Sequence, residues 1–379
     1  MLSRRLLVAS ASVLATLSLT APSASWAEEP LPVVATFSIL GDMVERVGGA
    51  HIALTTLVGP DGDTHVFQPT PQDARAVAEA KVVFINGLEF EGWLERLVEA
   101  AAFQGQTVVA TDGIEAIAFE EHDAHGDEHE GHADHDGHDD HDDAHADHDD
   151  HDHDKHDDHD KHGEEHADHD SHGDEHAGHD DHDDHEEHGD EHAGHDDHHG
   201  HDHGAFDPHA WQSVENAILY VNNIASGLAE ADPQNAGAYE ANRAAYVAEL
   251  EALAAEVAAT MGAIPADRRT VVTSHDAFGY FAAAYDLTFE APQGMSTESE
   301  ASAADVAALI TQIRAEGISA VFVESITDNR LMQQIANETG ATIGGTLYSG
   351  ALSGPDGPAA TYVDMIRHNT KTLSEALTK

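Results

Sequence analysis

The side chains in this sequence best suited to hold a cation are histidines, and they form two populations. Twenty-eight of the 33 His lie between His122 and His203, in a run that closes with HDDHDDHEEHGDEHAGHDDHHGHDH and also carries 35 acids and two Lys. The other five are His51, His65, His209, His275 and His368. There is no Cys, so a metal site in this chain must be built from His, Asp, Glu and backbone oxygen. Three of the isolated histidines share a context. His65 sits in GPDGDTHVFQPTPQD, a Gly-rich loop after an expected strand. His209 sits in FDPHAWQ, in the first turn of an expected helix, and His275 in VVTSHDAFGYF, where a strand hands over to a helix. Ligands of open α/β sheets bind outside the carboxyl ends of the strands. Three imidazoles converging there would suit Zn²⁺, a borderline ion with no geometric demand of its own.

Neighbouring residues are weighed against plainer roles. Asp276 and Glu324 would orient a ligating imidazole, or equally serve as caps and surface acids. Trp211 and Phe67 flank the candidate ligands but read as core packing. His51, after Gly48-Gly49-Ala50, and His368, on the last helix, read as structural or surface residues.

The elements that must position these histidines alternate. LPVVATFSILGDMVERVGG reads as a buried strand (about Pro32 to Thr36) feeding a helix that ends at Gly48-Gly49, and IALTTLVG as a second strand. A helix capped by Thr70 with Pro71 at its first position leads to the strand Val82–Ile85, and GWLERLVEAA to the strand in TVVATDG. FDPHAWQSVENAILYVNNIASGLAEADP reads as a helix with Asp207 as cap and Pro208 at its first position. RTVVTSH, LTFEAP, SAVFVES and ATIGGTLYS then repeat the strand pattern between helices. Such alternation indicates parallel sheets covered on both faces. Between Pro233 and Pro265 the Ala, Glu and Leu content predicts one helix, too long for one lobe and suited to tying two together. The expected architecture is α/β. An N-terminal lobe spans 28–232, a linking helix 233–265, and a C-terminal lobe 266–379, each lobe a mostly parallel sheet flanked by helices.

Residues 120–204 are too poor in apolar side chains to offset the entropy of ordering a backbone, and read as a disordered loop inserted in the N-terminal lobe. This run supplies most of the formal charge of −57, yet the remainder is still acidic, which argues against a nucleic-acid partner. Residues 1–27 read as a cleaved signal peptide. Arg4 and Arg5 precede an apolar stretch from Leu6 to about Leu19, with Ser25 and Ala27 before the cut. With no Cys to carry a lipid, the mature protein is expected in the periplasm.

DTHVFQPTPQD, FDPHAW, TSHDAFGYF and GPAATYVDMIRHN, in this order around a His/Asp-rich insert, resemble the zinc-binding solute-binding proteins of ABC importers. This is the ZnuA/AztC-like branch of the cluster A-I metal-binding proteins. The resemblance implies zinc held between two lobes by His65, His209 and His275 and delivered to an ABC permease of the inner membrane. Manganese- and iron-binding branches typically place Glu at the third position, so His275 favours zinc. Many relatives read LYSDALS near the C-terminal strand, where Asp is a fourth ligand. This chain reads LYSGALS, and Gly350 has no side chain to coordinate. Water, a swinging carboxylate such as Glu324, or a histidine of the insert would have to complete the site, and water requires the least reach.

The insert would gather and buffer zinc through many weak, exchanging sites, with flanking acids raising the local cation concentration. The protein is expected to act as a monomer and not as an enzyme. Two other readings stay open: a zinc reservoir working through the insert alone, and a three-His zinc hydrolase. Against the hydrolase, the sequence has no H-E-x-x-H and no obvious general base.

Overall fold

The computed structural model describes residues 29–118 and 205–379; the leader assigned to 1–27 and the histidine-rich run at 120–204 lie outside the described residues. Strands β1 (Leu31–Phe37), β2 (Ile52–Val58), β3 (Val82–Ile85) and β4 (Gln106–Val109) make a parallel sheet in the order β2-β1-β3-β4. Strands β5 (Thr270–Val272), β6 (Thr288–Glu290), β7 (Ala320–Glu324) and β8 (Thr342–Leu347) make a second in the equivalent order β6-β5-β7-β8. In each sheet the strand order reverses beside the first strand, between β1 and β3 and between β5 and β7. The crevice at such a reversal is where open α/β sheets take their ligands.

The helices are α1 (Ser38–Gly48), α2 (Pro71–Glu79), α3 (Leu94–Ala101), α4 (Val214–Ala231), α5 (Ala236–Gly262), α6 (Gly279–Tyr285), α7 (Ala303–Glu316), α8 (Arg330–Thr339) and α9 (Tyr362–Leu377). Their ends follow local chemistry. Thr70 and Asp73 form a reciprocal capping box on α2, with Pro71 at its first position. Ser302 caps α7, which stops at Gly317 in the left-handed region.

Two-residue periodicity divides the second sheet between two cores. Val271, Ala320 and Phe322 point into one, while Val272, Val321 and Val323 point into the other. The first of these cores is continuous with β1, α4 and α5, so apolar packing runs unbroken from one lobe into the other. The 27-residue α5, about 40 Å long at about 1.5 Å per residue, is the spine of that continuity. It packs on α1 and α4 of the first lobe and on α6 and α9 of the second. Tyr239, Tyr246, Leu250, Leu253, Val257 and Met261, mostly three or four residues apart, form its buried stripe. Burying six such side chains contributes on the order of 10 kcal/mol, so the spine does not detach in ordinary thermal motion. No helix among the described residues is long and apolar enough to cross a membrane.

The chain from Pro208 to Ser213 departs from the expected helix. Ala210–Gln212 form a 3₁₀ turn, and α4 starts only at Val214, where the Ser213 hydroxyl accepts from the Asn216 N–H. Asp207 does not cap this helix. Its carboxylate turns back two residues on to His209, a local side-chain bond that competes with helix formation.

Candidate metal site

His65 lies on the loop from β2 to α2. His209 immediately precedes the 3₁₀ turn before α4, and His275 follows β5 at the strand-order reversal of the second sheet. The fold brings the three rings together. One ligand atom from each lies within 4.8 Å of the other two, and this is the metal-competent cluster found among the described residues. His65 Nε2 and His209 Nε2 are 3.3 Å apart. Two nitrogens bound at about 2.0–2.1 Å to one tetrahedral ion are separated by about 3.3 Å. The ring centroids stand 5.4–5.9 Å apart pairwise, in tilted or edge-on orientations that avoid face-to-face stacking.

Two of the rings are fixed by the same device. Asp207 Oδ1 accepts from the His209 backbone N–H at 2.9 Å and lies 2.8 Å from its Nδ1. Glu324 accepts from the His275 N–H at 2.8 Å through Oε1, while Oε2 lies 2.6 Å from Nδ1. Each carboxylate holds both the backbone and the ring of its histidine, which leaves Nε2 of each ring for an ion. Both rings are fully buried; His65 is partly exposed and lines a cleft of about 880 Å³. Burial alone would lower the His275 imidazole's pKa, but the charge and hydrogen bond of Glu324 outweigh it and hold that pKa above the usual range. For Glu324, burial favours the neutral acid, and the imidazole charge outweighs it, so its pKa falls.

The crevice of the first sheet holds a buried acid as well. Glu91 accepts from the Thr36 hydroxyl and from the Asn86 N–H, both at 2.6 Å. Burial pushes its pKa up, and the hydrogen bonds only partly offset that. Its neighbour Phe90 packs edge-on against His65 and His209, and also touches Trp211.

Hydrogen bonds close the cleft between the lobes. Asp61 N donates to Leu352 O at 2.8 Å, and Thr297 Oγ1 to Asp63 Oδ2 at 2.5 Å. Trp211 Nε1 and Gln212 Nε2 both donate to Ser349 O, at 2.9 and 2.8 Å. Tyr362 reaches back to Trp211 O at 2.8 Å. These bonds tie the segments that carry His65 and His209 to the second lobe.

Glu324 takes the orienting position that its place at a strand end suggested; Asp276 does not, since its hydrogen bonds are made by its backbone N–H. Burial pushes the Asp276 carboxyl up. Asp207 and Phe90 were missed in the sequence. The Asp-Pro-His spacing was a legible signal for Asp207, whereas nothing local marked Phe90. Trp211 is fully buried against Phe37, Phe90 and His209, and Phe67 packs on Trp93, as core residues do. His51 lies edge-on to Tyr239, and His368 Nε2 lies 3.0 Å from Thr346 O; neither joins the cluster.

The family described as "Zinc-uptake complex component A periplasmic" matches residues 33–376. The manganese-binding lipoprotein MntA of Halalkalibacterium halodurans is 26% identical over 351 residues, covering 93% of this chain and 90% of that protein. The iron-binding protein YfeA of Yersinia pestis is 26% identical over 369 residues, covering 97% and 93%. Among solved structures, the periplasmic zinc-binding protein TroA of Treponema pallidum superposes with a TM-score of 0.68 at 24% identity, over 92% of this chain and 99% of that one, which shows the shared two-lobe fold. With a match over nearly its whole length, the chain belongs to the zinc-uptake component A family, and is a metal-binding substrate-binding protein of an ABC importer, not an enzyme.

Proposed function

We propose that this protein captures Zn²⁺ outside the cytoplasm through Nε2 of His65, His209 and His275 and delivers it to an inner-membrane ABC permease. The observation that carries this reading is the convergence of three imidazoles, two of them aimed by buried carboxylates. An all-nitrogen donor set suits zinc better than the harder manganese, which favours carboxylate, carbonyl and water. Gly350 is buried and offers no side-chain donor, and a side chain there would meet Ile326 Cδ1 at 3.0 Å from its Cβ. Glu324 is engaged twice by His275, so water is the fourth donor. The lobes, stitched across the cleft, close little on binding.

Residues 122–203 gather and buffer zinc through weak sites. Their described flanks, Ala118 and Phe206, pair in an antiparallel bridge, and Phe206 lines the same cleft as His65. That placement supports hand-over to the three-His site. Several relatives are named lipoproteins, but this chain has no Cys to acylate, which supports a cleaved leader and a periplasmic protein without a lipid anchor. The test is a titration of the protein lacking residues 122–203 with zinc, manganese and nickel, with X-ray absorption on the bound metal. One tight zinc with three imidazoles and one oxygen donor is expected. Loss of the tight site, or tighter manganese than zinc, would overturn the reading.

A further inference from the structure

We propose that Gly279 and Tyr280, at the start of α6 in the second lobe, are positioning residues for His209, a ligand from the first lobe. This inference rests on the metal site proposed above. Asp207 uses Oδ1 for the His209 N–H and ring. Its other oxygen, Oδ2, lies against Gly279: a Cβ there would stand 2.5 Å from Oδ2 and 3.7 Å from the carboxyl carbon. Only a residue without a side chain admits the carboxylate in this place. Nothing in the backbone asks for glycine, because residue 279 is helical and outside the left-handed region. The space is therefore kept for Asp207.

Tyr280 fixes the main chain of the same residue. Its hydroxyl donates to Asp207 O at 3.0 Å and accepts from Ile117 N at 3.2 Å, while Asp207 N donates to Ile117 O at 2.9 Å. One residue further on, Asn86 Nδ2 of the first lobe donates to Pro208 O at 2.9 Å. Asp207-Pro208-His209 is thus gripped from both lobes, and α6 sets the direction in which the His209 ring is held. A methyl group at 279 would push the carboxylate by about 1 Å to reach ordinary contact, more than the roughly 0.5 Å within which a binding constellation must be held. The second lobe accordingly contributes its own ligand, His275, and the aim of one it does not carry.

The experiment is zinc competition against a chromophoric chelator for the parent, Gly279→Ala, Asp207→Ala and the double variant, with the visible spectrum of the Co²⁺-loaded proteins. Gly279→Ala is expected to weaken zinc about 10–100-fold, as loss of an orienting carboxylate does, and to alter the Co²⁺ bands. Asp207→Ala should weaken it by a similar factor, and the double variant no further, because the two act through one contact. The metal-free Gly279→Ala protein should still unfold cooperatively, with at most a modest fall in melting temperature from the displaced contact. Tyr280→Phe, which removes only the hydroxyl and its bonds to Asp207 O and Ile117 N, should weaken zinc several-fold, and it decides the matter if Gly279→Ala fails to fold. Parent affinity and spectrum in Gly279→Ala, or additive losses in the double variant, would overturn the proposal. Retention of tight zinc by His209→Ala would instead overturn the metal site and this clamp with it.

Discussion

The two crevices of this molecule share a topology and differ in one pairing. In the second sheet the buried acid at the strand-order reversal, Glu324, meets an imidazole 2.6 Å away, and its pKa falls. In the first sheet the buried acid, Glu91, meets a hydroxyl and backbone N–H groups, and its pKa rises. Hydrogen bonds alone do not replace the water that a carboxylate loses on burial; a partner able to carry positive charge does. One crevice therefore holds the His275 imidazole in a chosen orientation, while the other serves as a support for the loop carrying Phe90, against which His65 and His209 rest.

The sharpest way to break this contrast is to remove the ligand itself. Sharing roughly 10–16 kcal/mol of zinc binding over four donors assigns about 3 kcal/mol, a hundredfold or more, to each. His275→Ala should lose that much zinc affinity by chelator competition, and retention of parent affinity would detach the second crevice from the site. A smaller effect compares the two acids directly. Glu324→Gln should weaken zinc about 10–100-fold, whereas Glu91→Gln should leave affinity near the parent value; equal losses would erase the distinction. Because the folded-state pKa of Glu91 lies above its unfolded value, the folded protein binds the extra proton. Stability then falls as pH rises above about 4.5, and Glu91→Gln should flatten that part of the unfolding profile.

The smallest effect concerns Asp42, another acid of the first lobe. Burial pushes its carboxyl up to about 6, against the hydrogen bond from the Tyr362 N–H and the charge of Arg46. With the folded pKa raised, the cost is absent near pH 3.5, grows between about pH 4 and 6, and persists above. Asp42→Asn should therefore stabilise the protein at pH 7.5 by about 1–2 kcal/mol and not at pH 3.5. Denaturant unfolding at both values measures it, and a gain at the lower pH would contradict the assignment.

Much of this was legible in the chain. Alternating apolar strands and capped helices announced two parallel α/β lobes, because burial on both faces requires continuous Val and Ile runs that periodicity reveals. The histidines outside the insert stood out by scarcity, and strand ends marked where two of them belong. The helix expected to start at Pro208 starts only at Val214, since Asp207 offers the same oxygen to a helix end or to a nearby ring and local sequence does not choose between them.

The sequence by itself determined the chemical vocabulary of this protein: no thiolate, five isolated imidazoles, two α/β lobes and one helix long enough to join them. Only the tertiary structure decided which imidazoles meet, which acids aim them, and that a glycine in one lobe makes room for a carboxylate of the other. The reason is one of range. Periodicity and capping are local and can be read along the chain, whereas contacts between residues 207 and 279, or 275 and 324, exist only once separate strands and helices have packed.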